Sequence, residues 1–408
     1  MPVLYTEIKL AWLNLVRERK RTLISLAAIV IGIVGYMLAS GFVEWIFWAL
    51  RESAIDNGLG HVQVSAKGFR ANGQSDPHGY EIPADSPQRR AIEQLPGVTA
   101  VSPRLLVNGL ASHGDATVPF VAEGVEPALD ARISKDLVAE GEQLDAAAPK
   151  GVLLGRGLAR ALGVARGQNV TFLTSTSNGA LSGIEGTVRG IFSTGVREYD
   201  DVAARMPLAL AQELARTRRV HLWVVGLTDT DQTAEAARRI EGVVKDTNKE
   251  VSTWLDLSDF YRKTVRLLSR QMIVVAILIA MILVLGVANL LTMSTLERTG
   301  EIGTMLALGT PRRSVLRMHA IEGLLLGVVG GTAGTIIGIA LAVFISWIGI
   351  PMPPPPGRDT GYQAEILLTA PIVVYALGLA LASAAIGGAY PAWKASRLPI
   401  VDALRANH

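Results

Sequence analysis

The chain contains four long apolar runs without a charged residue, and these runs constrain its fold more than any other feature. Each is long enough to supply the roughly 20 apolar residues that cross a bilayer as a helix. They cover residues 22–43, 272–293, 323–350 and 366–390. Of the 408 residues, 50% are apolar and 18% are charged, and the mean hydropathy is +0.34. This balance is typical of a protein with both membrane and aqueous parts, so we predict four transmembrane helices.

The alternative interpretation of the first run is a cleaved signal peptide. The run is longer than the roughly 7 to 15 apolar residues of a signal peptide, and no small-x-small cleavage site follows it. A further segment of about 20 residues precedes it, whereas a signal peptide begins with only a short charged region. We therefore interpret the first run as a retained membrane span.

Basic residues near the ends of the runs predict the orientation, because short cytoplasmic segments carry an excess of Lys and Arg. The segment between the third and fourth runs contains a single basic residue, Arg358. We therefore expect both termini and the segment between the second and third runs in the cytoplasm. The net charge of +3 fits anchoring to anionic lipid and indicates no nucleic-acid partner. The basic residues on the expected cytoplasmic side are Lys9, Arg17, Arg19, Lys20, Arg21, Arg298, Arg312, Arg313, Arg317, Lys394, Arg397 and Arg405.

The segment between the first two runs has the composition of a globular domain. Short β-rich pieces such as HVQVSA, VTFLTS and HLWVVGL alternate with helical pieces such as QRRAIEQL. The predicted fold class is therefore a membrane protein with four transmembrane α-helices and a large α+β extracytoplasmic domain between spans 1 and 2.

Amphipathic patterns predict further segments around the spans. Leu4, Ile8, Trp12 and Leu15 share one helical face, so the N-terminal segment is expected to lie on the inner membrane surface as an elbow. The prolines of PMPPPPG predict a stiff turn after the third span. The predicted organisation is an elbow at 1–21, span 1 and stalk at 22–50, the domain at 51–255, stalk and span 2 at 256–295, a short helix at 296–314, span 3 at 315–350, a Pro-rich turn at 351–365, span 4 at 366–390 and a C-terminal tail at 391–408.

Several kinds of catalytic site are excluded by the residues. A phosphate loop needs Gly-Lys before Ser or Thr, and the chain contains no Gly-Lys pair, so Gly163 and Gly167 are interpreted as a helix C-cap and a turn. The absence of Cys excludes thiol catalysis and Cys-zinc sites. The six His show no ligand spacing, and no Ser lies in a GxSxG elbow. We therefore predict a non-catalytic chain that binds no cofactor and no metal.

Glycines in the third run recur at helical spacing. Small residues on one face allow a second helix to approach closely, although glycine is also common in membrane helices without such a role. We favour tight packing within the bundle. Ionisable residues are almost absent from the runs, which argues against ion-coupled transport. The packing glycines are Gly330, Gly334 and Gly338 on one face, and Gly327 and Gly331 beside it.

The segment TLERTGEIGTMLALGTPRRSV, residues 295–315, is a charged insert between the second and third spans. Glu297 and Glu301 stand at the expected start of a short helix, where the helix dipole favours acids. Gly309, Thr310 and Pro311 are expected to end it. A short cytoplasmic helix of this kind is expected to contact a partner protein.

Four stretches of the chain carry a resemblance to one family. The string LERTGEIGTMLALGTPRRSVLRM resembles the signature of the FtsX-like, MacB-type permeases, which include MacB, LolC, LolE and FtsX. AWLNLVRERKRTLISLAAIVIGI is similar to their elbow and first span, and LLGRGLARALGVARGQNVTF resembles their MacB-like periplasmic core. AYPAWKASRLPIVDALR resembles their cytoplasmic C-terminal motif, with matches at Pro391, Ala395, Pro399, Ala403, Leu404 and Arg405.

The resemblance implies a type VII ABC permease in the bacterial inner membrane. Two such permeases, either two copies of this chain or this chain and a paralogue, would sit on a dimeric cytoplasmic ATPase. ATP and Mg would bind to that partner, since no ATPase is expected within this chain. The short helix would couple the two subunits through Glu297, Arg298, Glu301, Gly303, Met305, Leu308, Gly309 and Pro311.

The four-span layout is nearest to LolC and LolE, so the expected function is extraction or release of a lipoprotein or another amphiphile from the outer leaflet. One alternative is MacB-like export of a drug, peptide or toxin with a periplasmic adaptor. Another is FtsX-like regulation of a cell-wall hydrolase. A chemoreceptor-like sensor would need a cytoplasmic signalling domain, for which the sequence shows no segment.

Overall fold

The computed structural model describes residues 2–17, 19–73, 76–134, 138–176, 178–194, 196–352 and 362–397. Within these residues the chain forms two compact units. The first unit contains the segment up to Trp48, Thr264–Met352 and the segment from Gln363 onward. The second unit contains Ala49–Lys263.

The helices and strands are numbered along the chain. The helices are α1 (Pro2–Arg17), α2 (Arg19–Ala54), α3 (Phe69–Asn72), α4 (Pro87–Glu93), α5 (Pro127–Asp130), α6 (Arg156–Leu162), α7 (Arg197–Asp200), α8 (Leu208–Ala215), α9 (Thr233–Val244), α10 (Trp254–Leu257), α11 (Asp259–Glu297), α12 (Thr299–Ala307), α13 (Arg312–Ile348) and α14 (Ala370–Ser396). The strands are β1 (Val62–Ala66), β2 (Ile82–Pro83), β3 (Val98–His113), β4 (Ala116–Val125), β5 (Val138–Gly141), β6 (Gly151–Gly155), β7 (Asn169–Ser175), β8 (Leu181–Phe192), β9 (Ala203–Pro207), β10 (Arg219–Val220), β11 (Leu222–Leu227), β12 (Lys249–Thr253), β13 (Ile350–Met352) and β14 (Tyr362–Ala364).

Four helices among the described residues are long and apolar enough to cross a membrane: α2, α11, α13 and α14. Each of the four predicted spans lies on one of them. Several ends differ from the predicted bounds, since α13 already begins at Arg312 and α14 continues to Ser396. The third span ends at Ile348, because Gly349 adopts a left-handed φ of +74° that breaks the helix. The fourth begins at Ala370, and Pro371 suits this first turn because the N–H that it lacks would have no partner within the helix.

Helix α13 packs against α2 on one side and α14 on the other. The glycines of α13 that were predicted to allow close packing lie on two faces of the helix, one at each of these contacts. Gly330, Gly334 and Gly338 face α2, while Gly327 and Gly331 face α14. A Cβ atom added at these positions would lie 2.8 Å from Ile29 (Gly330), 3.0 Å from Ile33 (Gly334), 2.9 Å from Met37 (Gly338), 2.7 Å from Ala384 (Gly327) and 2.9 Å from Ala380 (Gly331).

The second unit is built on a mixed sheet with helices packed against it. Its described strands run in the order β12-β1-β11-β3-β4-β9-β6-β8-β5, and β7 pairs with β3 and β8. The β4–β9 and β6–β8 pairs are parallel. In β7 the side chains alternate between buried and exposed, as a half-buried strand requires. Phe120, Phe172 and Trp223 fill the core. The predicted α+β domain between the first two spans is confirmed.

The predicted roles of two glycines are also confirmed. Gly163 caps α6 with a φ of +65°, and Gly167 turns the chain into β7 with a φ of +85°. The Pro-rich turn follows β13, which pairs with β14 in a two-stranded sheet. Its prolines at 353–356 lie outside the described residues.

Candidate functional site

The insert between the second and third spans folds into a separate short helix, α12. Helix α11 runs to Glu297 and breaks at Arg298, whose φ of −105° and ψ of 16° are not helical. After Ala307 the chain leaves α12 through Gly309, which has a φ of +93°. Pro311 then starts α13 in an extended conformation. Gly309 suits this exit because a side chain at positive φ is strained.

One predicted position is corrected by this break. Glu297 is the last residue of α11, so it does not lie at the start of the short helix. The backbone N–H of Arg298 donates to the carbonyl oxygen of Ser294 at 3.2 Å. This bond continues the last turn of α11 past Glu297, where the sequence pattern predicts the start of the short helix. A carboxylate at a helix C-terminus is disfavoured by the helix dipole, and an ion pair with Arg21 offsets this.

Helix α12 has a buried face and an exposed face. Ile302 and Leu306 pack with Val315 of α13 and Ala395 of α14. Gly300 and Gly303 are buried on the same side, and Met305 is half-buried. Thr304, Ala307 and Leu308 are exposed, and Leu308 at 83% is the most exposed of the large apolar side chains that the structure describes. The bundle therefore holds one face of α12 and leaves the other free.

Arg298 connects α12 to two other helices. Its Nη2 donates to Oδ1 of Asn14 at 2.7 Å, and its Nη1 lies 3.4 Å from Oε1 of Glu322. Its Nε donates to Oε2 of Glu301 at 3.1 Å. Asn14 also donates to Glu322, whose carboxylate is only 1% exposed. Helices α1, α12 and α13 therefore meet at one buried carboxylate. We call Asn14, Arg298, Glu301 and Glu322 the elbow cluster.

Further contacts tie α1 to the same end of the bundle. Arg17 lies 3.1 Å from Glu301, and both side chains are exposed. Glu7 of α1 is buried and accepts hydrogen bonds from Ser314 and Arg317 of α13, at 2.6 and 3.0 Å. The hydrogen bond from Arg298 lowers the pKa of Glu301 below its ordinary value, and Arg17 adds to this effect. Glu301 is therefore a carboxylate at neutral pH.

The C-terminal motif is only partly described. Pro391 lies inside α14 and is buried, as is Ala395. Arg312 of α13 donates to the carbonyl oxygen of Ser396 at 2.9 Å, which fixes the end of α14 next to the start of α13. The other predicted motif residues, Pro399, Ala403, Leu404 and Arg405, lie outside the described residues.

Glu322 was missed by sequence reasoning. It stands one residue before the third apolar run, where an acid at the edge of a span is usually solvated. A usable signal was its spacing of three residues from His319, which places both polar side chains close together on one helical face. Both are 1% exposed in the structure.

Sequence reasoning also missed a second buried cluster of charged side chains, where the chain passes from α2 into the mixed domain. After α2 the chain forms a π-turn at Ile55–Leu59, in which Gly58 has a φ of +122°. Arg104 of β3 donates to the carbonyl oxygen of Gly58, and Arg205 of β9 donates to that of Asn57 at 3.3 Å. The two guanidinium groups are 2% and 3% exposed. They fix the π-turn to two strands of the sheet.

Two carboxylates neutralise these arginines. Asp130 lies 2.6 Å from Arg104 and 3.2 Å from Arg205, and Glu123 lies 3.3 and 3.4 Å from the same pair. Burial alone would lower the pKa of Arg205, but the two carboxylates outweigh it and raise that pKa. We call Arg104, Glu123, Asp130 and Arg205 the junction cluster. Its two positive and two negative charges balance, so we assign it a structural role in holding the π-turn on the sheet.

Two family profiles match the chain in succession. The MacB-like periplasmic core domain matches residues 22–243, which is more than half of the 408 residues. The FtsX-like permease C-terminal domain matches residues 273–400. The second match contains α12 and both helices on which it packs.

Similar proteins include MacB export proteins and LolC lipoprotein-release proteins. The macrolide export ATP-binding/permease protein MacB of Brucella abortus is 27% identical over 396 residues, which cover 93% of this chain and 57% of that protein. The lipoprotein-releasing system transmembrane protein LolC of Xylella fastidiosa is 28% identical over 275 residues, 62% of this chain and 64% of that protein. LolC of Neisseria meningitidis serogroup B is 23% identical over 352 residues, 81% of each chain.

The chain is a membrane protein with the layout of an ABC permease. It has four candidate spans, a mixed domain between the first two spans and a short helix between the second and the third. The chain belongs to the family of FtsX-like permeases that carry a MacB-like periplasmic core domain. It spans little more than half the length of the Brucella MacB protein that it matches, at 57%.

Proposed function

We propose that this chain is the permease subunit of a type VII ABC transporter and that α12 receives the movement of a partner ATPase. The observation that carries this proposal is the division of α12 into a held face and a free face. Ile302 and Leu306 anchor it on α13 and α14, while Leu308 is 83% exposed. Burying a leucine in a groove of the partner would contribute about 1.5 to 3 kcal/mol, which is the scale of an interface anchor.

The elbow cluster supports a role for α12 in passing movement on. Because Arg298 contacts both Asn14 and Glu322, a displacement of α12 would pull on α1 and α13 together. Glu322 is buried, so these contacts are poorly screened by water and resist separation more than exposed ion pairs do. In this scheme the first and second spans then carry the movement along the chain into the mixed domain, which they flank in sequence.

We propose an inner-membrane location with both termini and α12 in the cytoplasm, and with the mixed domain outside. Basic residues at the α12 end of the bundle support this orientation, because short cytoplasmic loops are enriched in them. They include Arg17, Lys20, Arg312 and Arg313. The match to a MacB-like periplasmic core domain agrees with an external position of the mixed domain.

The partners that follow from this proposal are a dimeric ATPase, which binds ATP and Mg, and a second permease. The second permease is either another copy of this chain or a paralogue. We assign no catalytic step to this chain, because the acids and arginines of the elbow cluster and the junction cluster are paired with one another and hold helices and strands together.

The substrate that we propose is a lipoprotein or another amphiphile in the outer leaflet. It is supported by the LolC relative whose length matches over 81% of each chain. The alternative, export of a drug, peptide or toxin with an adaptor, is favoured by the MacB relative that covers 93% of this chain. FtsX-like regulation of a hydrolase is the third candidate and is supported by the FtsX-like profile.

The docking of α12 is tested by Leu308→Asp. We expect this variant to insert normally but to lose the ATPase during purification of the complex, because a charge in the docking groove leaves a buried carboxylate unpaired. The matched control is Leu181→Asp in the mixed domain, since Leu181 is 79% exposed and is likewise a surface leucine. Equal recovery of the ATPase with both variants would refute the assignment.

The substrate is tested with a complex whose ATPase binds ATP but cannot hydrolyse it. Mass spectrometry of the purified complex should detect lipoproteins or another membrane amphiphile. An adaptor with an outer-membrane channel would support the export alternative, and a cell-wall hydrolase would support the regulatory one. Either result without any lipoprotein would overturn the proposed substrate.

A further inference from the structure

An apolar groove lies between the elbow helix and two spans. It has a volume of about 280 Å³ and is lined by side chains of α1, α2 and α13, including Trp12, Val16, Leu23 and Leu326. The hydroxyl of Thr22 in its wall already donates to the carbonyl oxygen of Leu15 at 2.9 Å. The groove therefore presents an almost wholly apolar surface, which suits a hydrocarbon chain.

A basic cavity of about 300 Å³ adjoins this groove. Among the described residues it is lined by Arg17, Arg19, Lys20 and Arg21, together with the acid Glu297. Arg17 and Arg21 already pair with Glu301 and Glu297. By contrast, Arg19 and Lys20 form no ion pair with any residue that the structure describes, so no described carboxylate offsets their two charges.

The two cavities share one side chain. Arg19 lines both the apolar groove and the basic cavity. A ligand that fills both must therefore combine a hydrocarbon chain with an anionic head within the reach of a single arginine. A soluble anion would leave the groove empty, and a neutral lipid would leave Arg19 and Lys20 without a counter-charge.

We propose that this composite site binds one anionic phospholipid, with an acyl chain in the groove and its phosphate at Arg19 and Lys20. Basic pockets beside membrane helices commonly bind anionic head groups. The lipid would wedge the elbow helix against α2 and α13. Since the same helix carries Asn14 and Arg17, which contact Arg298 and Glu301, the lipid would hold the elbow in the position that these contacts with α12 require.

The test measures lipid binding to the full chain in neutral detergent by native mass spectrometry. Phosphatidylglycerol, phosphatidylcholine and inorganic phosphate are titrated separately. We expect one phosphatidylglycerol to bind in preference to phosphatidylcholine. Removing two charges in Arg19→Gln/Lys20→Gln should weaken that binding by roughly 5- to 30-fold, at about 1 kcal/mol for each charge.

Two further variants separate this site from general attraction to the membrane. Val16→Trp fills the groove and should weaken phosphatidylglycerol binding while the cations remain. Arg266→Gln/Arg270→Gln removes two exposed cations from α11 and should leave the binding unchanged. Equal binding of both lipids, an equal loss in the α11 control, or binding of inorganic phosphate with the same affinity as the lipid would overturn the proposal.

Discussion

At the scale of single residues, Arg298 joins three helices through its side chain. It breaks the helix between α11 and α12, and it bonds to Asn14, Glu301 and Glu322 from that position. Arg17 also contacts Glu301, but its side chain is 72% exposed, against 16% for Arg298. The two arginines therefore form a matched pair that differs in burial.

Replacement of Arg298 by Ala should destabilise the protein strongly. The loss leaves the buried carboxylate of Glu322 without its cation, which costs about 3 to 5 kcal/mol when a buried ion pair is broken. Arg17→Ala should cost about 1 kcal/mol or less, because exposed ion pairs contribute little. Thermal unfolding in detergent measures both.

A double variant distinguishes charge from packing. In Arg298→Ala/Glu322→Gln the unpaired charge is removed, so part of the lost stability should return. If the double variant is less stable than Arg298→Ala by the full cost of Glu322→Gln alone, the two side chains do not interact and the elbow cluster is wrongly described.

At the scale of elements, the junction cluster joins the end of α2 to the sheet. Arg104→Met removes the donor to the carbonyl oxygen of Gly58 and leaves Asp130 and Glu123 underneutralised. We expect a loss of about 3 to 5 kcal/mol and faster hydrogen exchange in the π-turn at Ile55–Leu59. Exchange measured by mass spectrometry on the full chain reports on that turn directly.

The control for this joint is Arg166→Met. Arg166 pairs with Glu142, and both side chains are more than half exposed, at 58% and 53%. Its loss should change stability by about 1 kcal/mol or less and leave the exchange of the π-turn unaltered. Equal exchange in the two variants would mean that the π-turn is held by something other than Arg104.

The contact between α13 and α14 makes a separate prediction. In Gly327→Ala the new Cβ would lie 2.7 Å from the Cβ of Ala384 and 3.2 Å from the backbone oxygen of Ala380, so the helices must move apart. We expect a loss of about 1 to 3 kcal/mol in thermal unfolding.

Gly378→Ala in α14 is the matched control for that contact. An added Cβ there meets nothing within 4 Å, and Ala favours a helix over Gly by about 1 kcal/mol. This variant should therefore be neutral or slightly more stable. A stable Gly327→Ala protein would show that the two helices do not need the close approach.

At the scale of the whole molecule, the sequence predicts those features of the fold that depend on residues close together in the chain. The four spans follow from uninterrupted apolar runs, and the break at Gly309–Pro311 follows from residues that cannot continue a helix. The position of Glu297 was wrong because the end of α11 is decided at Arg298, which bonds to Asn14, 284 residues away along the chain. The buried clusters were missed for the same reason, since Arg205 meets Asp130 across 75 residues.

Topology is testable because the natural chain has no Cys. Single cysteines at Asp115 and Leu181, both exposed, should react with an impermeant maleimide added to intact spheroplasts. Cysteines at Thr304 and Arg313, also exposed, should react only after permeabilisation. Labelling of position 304 from outside would reverse the proposed orientation.

The central claim, that α12 docks on an ATPase, is tested most directly by photo-crosslinking in cells. A photoreactive phenylalanine analogue replaces Leu308 in one strain and Leu181 in another, since the two leucines are 83% and 79% exposed. We predict an adduct between position 308 and an ATP-binding subunit, and none from position 181. Failure of position 308 to crosslink to an ATPase in a chain that is correctly inserted, or an equal adduct from position 181, would contradict the account.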